Sequence, residues 1–192
     1  MPQPGGREPA PGGLRLIQEF VNTNDIENGR ELFAEPAALR DWLIERSLLA
    51  RGARVTRRDH KQAIEVREAL RTLMEENNGR PAAPAAADLL TRAAARSGVS
   101  LRFAGGSGQA SELRPASVGV AGALGQLLIA VHCAMSDGTW SRMKACTDDR
   151  CRWAFYDHSR NASGRWCSMA VCGTRAKIEG AAERAGRSRR SR

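Results

Sequence analysis

A chain of 192 residues has room for one large domain, or one ordinary domain with a small module attached. At 42% hydrophobic and 27% charged it can bury a core, which excludes a wholly disordered polymer, and at 5% aromatic that core must rest on Leu, Ala, Val and Ile. No apolar run approaches the roughly 20 residues that span a bilayer, and the opening MPQPGGREPAPGG has no apolar stretch of a secretory signal, so the expectation is a soluble, cytoplasmic protein with no membrane partner.

The net charge of +9 is unevenly placed. Residues 1–139 carry 17 Arg/Lys against 16 Asp/Glu, whereas residues 140–192 carry 13 against 5. The cations are 27 Arg and 3 Lys beside abundant Ala and Gly, a composition that suggests GC-rich bacterial coding. Coding bias alone does not segregate charge into the last quarter of a chain, where four of the five cysteines also lie.

In chain order, residues 1–13 are rich in Pro and Gly and read as a disordered leader. LRLIQEFVNT (14–23) reads as a strand or short helix. ELFAEPAALRDWLIERSLL (31–49) places Leu39, Trp42, Leu43 and Ile44 at helical spacing, with Pro36 near its start. Thr56 precedes a second helix (57–77) whose apolar stripe is Ala63, Ile64, Val66, Ala69, Leu70, Leu73 and Met74, ended by Asn77-Asn78-Gly79. An Ala-rich helix follows (81–98), then VSLRF (99–103) and SELRPAS (111–117) as two strands about the Gly-rich turn AGGSGQA. The apolar helix at 120–138 is the expected centre of the first core, and Cys133 within it reads as a small buried hydrophobe. Asp137-Gly138 breaks that helix and opens a second module.

In that module Cys146, Cys151, Cys167 and Cys172 form C-x4-C-x15-C-x4-C. Each close pair gives a turn that offers two corners of a tetrahedron, and four thiolates at about 2.3 Å suit Zn²⁺. A disulfide or redox pair and unrelated packing are the weaker alternatives, given no export signal and an odd cysteine count. His158 is a spare donor, unneeded beside four cysteines.

The run Cys146, Cys151, Phe155, Asp157, Ser159, Asn161, Arg165, Trp166, Cys167, Ser168, Met169, Cys172, Gly173, Arg175, Lys177 resembles the bacterial CGNR zinc finger over about residues 140–185. Thr174 stands where that family has Asn. The N-terminal region resembles the ABATE domain usually joined to that finger, through Phe20-Val21-Asn22-Thr23, the Leu39–Leu43 helix and the apolar helix at 120–135. The resemblance implies a stress-response transcription regulator: a sensing or scaffold domain followed by a nucleic-acid-binding finger.

The expected fold is therefore α+β and mostly helical. It comprises a leader (1–13), an N-terminal helical domain with a small β-hairpin (14–137), a zinc finger of two short strands and a helix (138–185), and a basic tail (186–192). TWSRMKAC and RCRWAFYD are the two strands, and Ser168 caps a helix carrying Cys172 about one turn in. Arg152, Arg160, Arg165, Arg175 and Lys177 are candidates to neutralise the phosphates of DNA or RNA. Alternatively Arg150, Arg165 or Arg175 balances the −2 charge of a Zn(Cys)4 centre, and the finger contacts another protein. Asn22, Thr23 and Asn24 either cap a helix or line a small-molecule pocket, and the near-neutral first domain suits a ligand or a homodimer contact. No phosphate-binding loop, metalloprotease motif or nucleophile elbow is present, so an enzyme is not expected.

Overall fold

The computed structural model describes residues 3–103 and 111–190, with side chains to residue 184. The turn expected at AGGSGQA and the side chains of the basic tail lie outside the described residues; the tail's backbone continues the last helix.

Helix α1 (Leu14–Val21) runs into a two-residue ribbon, β1 (Asn24–Asp25) with β2 (Arg30–Glu31). Helix α2 (Pro36–Glu45) starts on its proline, whose missing N–H has no intrahelical acceptor to lose. Helix α3 (Arg57–Glu76) begins at a capping box: the Thr56 hydroxyl accepts from Asp59 N–H, and the Asp59 carboxylate accepts from Thr56 N–H at 2.9 Å. Helix α4 (Pro84–Ser97) ends on left-handed Gly98, the position that favours glycine. The hairpin follows as β3 (Ser100–Phe103) and β4 (Ser111–Arg114), paired antiparallel with Leu101 opposite Leu113.

Helix α5 (Gly119–Ser136) occupies the middle of the domain and packs on α1, α3 and α4. By length and composition alone it could cross a membrane, but Leu124, Leu127, Val131 and Ala134 are used inside the fold. Two of its glycines make room for close neighbours, Gly122 for backbone and Gly125 for side chains. A Cβ on Gly122 would stand 2.2 Å from the Ser117 carbonyl oxygen, and one on Gly125 would stand 2.7 Å from Ser97. Cys133 departs from expectation, because it lies on the open side of α5 and is exposed.

The second module holds β5 (Met143–Ala145), β6 (Ala154–Tyr156), a π-helical turn (Met169–Gly173) and α6 (Thr174–Arg190). It is not a separate globule. Trp140, Met143, Ala145, Ala154 and Tyr156 belong to the same core as Leu70, Met74 and Leu127, and β5 lies against α3. A second small cluster contains the four cysteines with Trp153 and Phe155.

The leader is also a correction. Residues Pro4–Gly6 form a 3₁₀ turn, Ala10 is buried, and Arg7 reaches across the chain to the second cysteine pair. Pro and Gly here shape a strap rather than a free end, because the Arg7 guanidinium donates to Cys167 and Trp166 carbonyls and the Gln3 carboxamide oxygen accepts from Gln18 and Trp153.

Candidate metal centre and its attachment

Cys146 directly follows β5, and Cys151 lies three residues before β6. Cys146 N–H donates to Trp153 C=O at 2.9 Å, and Cys151 N–H donates to Asp148 C=O at 2.9 Å, which folds Thr147–Arg150 into a tight knuckle. The second pair is brought in by the π turn. Ser168 accepts from Val171 N–H, and Gly173 N–H closes a wide ring on Ser168 C=O at 3.0 Å, so Cys172 swings towards Cys167. Gly173 is buried beneath Met169.

The four sulfurs lie within 4.8 Å of one another, with Cys151–Cys167 at 3.5 Å and Cys167–Cys172 at 3.8 Å. Corners of a tetrahedron with 2.3 Å metal–sulfur bonds are about 3.8 Å apart. All four residues are buried. Hydrogen bonds from the Cys151 and Cys167 thiols hold Cys146 down to about 2. Donating to that sulfur pushes Cys151 and Cys167 up, and burial chiefly pushes Cys172 up. Crowded and buried together, the four sulfurs do not all ionise without a cation. A divalent cation lets all four ionise, and the all-sulfur donor set suits zinc with no open position for substrate.

The segment between the pairs is organised by Asp157, which is fully buried. It accepts from Ser159 N–H (3.1 Å), Ser159 Oγ (2.7 Å), Gly164 N–H (2.6 Å) and Lys144 Nζ (3.0 Å). Burial pushes the carboxyl up, but the hydrogen bonds from Ser159, Lys144 and Gly164 win and hold it at about 2. Lys144 also donates to the carbonyls of Ala162 and Gly164, tying the loop back onto β5.

The sequence matches two known families in this order: ABATE, described as "Putative stress-induced transcription regulator", over residues 14–136, and the CGNR zinc finger over residues 142–185. The chain belongs to the ABATE family. No curated protein matches it.

Within the ABATE domain, the expected ligand triad Asn22, Thr23 and Asn24 is spent on the fold. The Asn22 carboxamide donates to Ala154 C=O and accepts from Ala154 N–H, both at 2.8 Å, thereby pairing with β6 as a strand would. Thr23 donates to Phe20 C=O and accepts from Arg67, and Asn24 C=O accepts from Arg71. Asn22 thus joins the ABATE domain to the CGNR finger, while Thr23 and Asn24 bond within the ABATE domain.

Two arginines that periodicity passes over complete the joint. Arg67 and Arg71 lie on the buried stripe of α3, among the largest fully buried side chains. Arg67 forms a fork with Glu31 at 2.7 and 2.6 Å. Arg71 donates to Glu68, to Val21 C=O at 2.7 Å and to Arg152 C=O in the finger at 2.7 Å. Burial pulls Arg71 down; Glu68 opposes that and is itself lowered by Arg71 and Arg67 against its own burial. Asn77 and Asn78, read from sequence only as a helix end, donate to four finger carbonyls: Trp140, Met143, Ala145 and Arg165. Arg7 donates to Cys167 C=O (2.8 Å) and Trp166 C=O (3.0 Å), and Trp153 Nε1 donates to Gln3.

The five nucleic-acid candidates divide. Arg152 is paired with Glu75 at 2.6 Å. Arg175 is paired with Glu27 of the ABATE domain and with Asp148, and its guanidinium reaches Cys172 Sγ at 4.0 Å. Arg150 is paired with Asp148 and Glu179. Arg160, Arg165 and Lys177 are exposed, as is Arg184. The Arg165 guanidinium lies 5.9 Å from the Trp166 ring centroid. Thr174, in place of the CGNR asparagine, donates its hydroxyl to Met169 C=O at 3.1 Å and stays exposed.

Proposed function

We propose that this protein is a non-catalytic transcription regulator whose zinc-held CGNR finger binds DNA through its phosphate backbone. The observation that carries this reading is the division of cations within the basic segment. Arg142, Lys144, Arg150, Arg152 and Arg175 bind protein carbonyls or carboxylates, while Arg160, Arg165, Lys177 and Arg184 face solvent. The charge excess of residues 140–192 is therefore not consumed by the metal or the fold. The resident zinc, held by Cys146, Cys151, Cys167 and Cys172, would fix the scaffold that presents these groups.

The test is DNA binding by the zinc-loaded full chain across a salt series. Each neutralised phosphate contributes about −0.9 to the slope of log K against log [salt], so four exposed cations predict a slope of roughly −3 to −4. Arg165→Ala and Lys177→Ala should each reduce that slope by about one unit, whereas Arg152→Ala should act on stability. No affinity for DNA or RNA at low salt overturns the reading. A second reading, a zinc-stabilised protein contact, is favoured by Met169, Val171 and Ile178, which are apolar and exposed where α6 begins. In that case these three residues, and not the cations, would control partner capture.

A further inference from the structure

The β3–β4 ribbon leaves one of its edges and most of one face uncovered. All four residues of β3 are exposed, Leu101 at 53% and Phe103 at 78%. Residues directly opposed in an antiparallel pair share a face. With Leu101 opposite Leu113 and Arg102 opposite Glu112, the apolar residues stand on one side of the ribbon and the charged ones on the other. Leu113 carries the apolar side into an open cleft of about 690 Å³, also lined by Leu49 and by Val118, which is 91% exposed.

The two edges of the ribbon differ. Ala116 N–H donates to Gly98 C=O in the same register as the strands, which sets the phase of the ladder. The Gly98 carbonyl and the backbone groups of Ser100 and Arg102 are directed to β4, whereas Val99, Leu101 and Phe103 direct theirs outward. The corresponding outward positions along β4 end at Pro115, which has no N–H, and β4 leans on α5. Proline and a covering helix are two of the ways an edge is closed to other chains. Among the described residues, the outer edge of β3 has neither.

We propose that this edge pairs with β3 of a second copy of the chain, antiparallel, about a two-fold axis through Leu101. That centre is selected by the residues. It sets Leu101 against Leu101 of the second copy and Val99 against Phe103, so all three outward residues exchange both backbone bonds and the two apolar faces lie on the same side. A centre at Arg102 would oppose two guanidiniums. A centre between Leu101 and Arg102 would turn the apolar faces to opposite sides and miss the outward groups. The product is one four-stranded sheet, past the three strands at which a sheet holds in water where an isolated hairpin does not. Confined to the ribbon, the contact lies below about 1,200 Å², the range of reversible, weak association.

The test is sedimentation of the zinc-loaded full chain over roughly 1–200 µM, a range suited to a weak interface. No nucleic acid is present, so the outcome is independent of the regulator reading. The wild type should associate reversibly to a dimer. Leu101→Lys should weaken it about tenfold or more, equivalent to about 1.4 kcal/mol per tenfold, with helical content and zinc content unchanged. In a Cys133→Ser background, Leu101→Cys should be joined by a short bis-maleimide, because opposed Cα atoms in a hydrogen-bonded pair are about 5.5 Å apart. Glu112→Cys, on the far strand, should not be joined. A chain that stays monomeric over the range, a dimer that survives Leu101→Lys, or a dimer in which Leu101→Cys is not joined overturns the proposal.

Discussion

Asn22→Ala tests whether the ABATE domain and the finger unfold together. The substitution removes both 2.8 Å bonds to Ala154 and leaves the buried Ala154 N–H without an acceptor. An orphaned buried donor costs about 1–3 kcal/mol, and the second lost bond adds about 0.5–1.5 kcal/mol. The Ala154 carbonyl retains Gln18 at 3.3 Å, which places the total at about 2–4 kcal/mol. For a chain of this size each kcal/mol lowers the midpoint by about 2–4 °C, so the expected fall is roughly 4–16 °C. The assay is thermal unfolding of the zinc-loaded chain, followed both by far-ultraviolet circular dichroism and by tryptophan emission. Trp140, Trp153 and Trp166 report on the finger and Trp42 on the ABATE domain. Both probes should move together in one transition, with the chelator concentration that releases zinc reduced as well. Asn24→Ala, which loses only a 3.5 Å contact to Glu68, should shift the midpoint by less than about 2 °C, as expected away from buried partners. A fall of under about 2 °C for Asn22→Ala, or separate transitions for the two halves, would refute the coupling.

Zinc removal gives a thiol count: in the folded metal-loaded chain a thiol reagent should modify exposed Cys133 rapidly, and the other four only after chelation. Early reaction of more than one thiol would show that the buried cluster is not metal-held. Because the joint is shared, Cys167→Ser should lower the stability of the α3 helix along with the finger, read as increased hydrogen exchange near Arg71. For Asp157, the folded carboxyl is at about 2, below its ordinary value of 3.8. Its stabilisation, about 2 kcal/mol from a shift of nearly two units, is complete above the ordinary value and is lost as pH falls from about 4 to 2. The stability gap between wild type and Asp157→Asn should narrow over that interval; a constant gap would refute the assignment. Gly122→Ala should cost about 2–3 kcal/mol by overpacking against backbone, read from denaturant midpoints. Gly173→Ala should cost less than about 1 kcal/mol, since its nearest neighbour is the movable end of half-exposed Met169.

The helices and the metal centre were legible because each has a local signature. The Thr56 cap, the proline starts of α2 and α4, and the paired cysteine spacing depend on residues a few positions apart, and the structure follows them. The attachment of finger to domain was not legible. Arg67 and Arg71 continue the stripe of Ala63 and Val66, Leu70 and Met74 at the same helical interval, yet charge normally marks the solvent face. Only their acceptors at Glu31, Val21 C=O and Arg152 C=O make burial affordable, and these lie far off along the chain. Asn22 and Asn78 read as caps for the same reason: a carboxamide's local uses are recognisable, and its long-range pairing with a strand is not. A leader of Pro and Gly looks like a loose end until Trp166 and Cys167 carbonyls stand opposite Arg7.

Arg7 and Cys167 are 160 positions apart, and this spacing has a consequence for synthesis. A ribosome makes the strap first and its acceptors near the end, and Arg71 likewise waits for Arg152. Before the last quarter emerges, a nascent chain holds Arg7 and Arg71 without their acceptors in the finger and an ABATE core without Met143, Ala145 and Tyr156. A chain that stops before Trp166 lacks half of the cysteine cluster and the carbonyls that hold Arg7, so the strap and the metal centre close only once synthesis has passed Cys172.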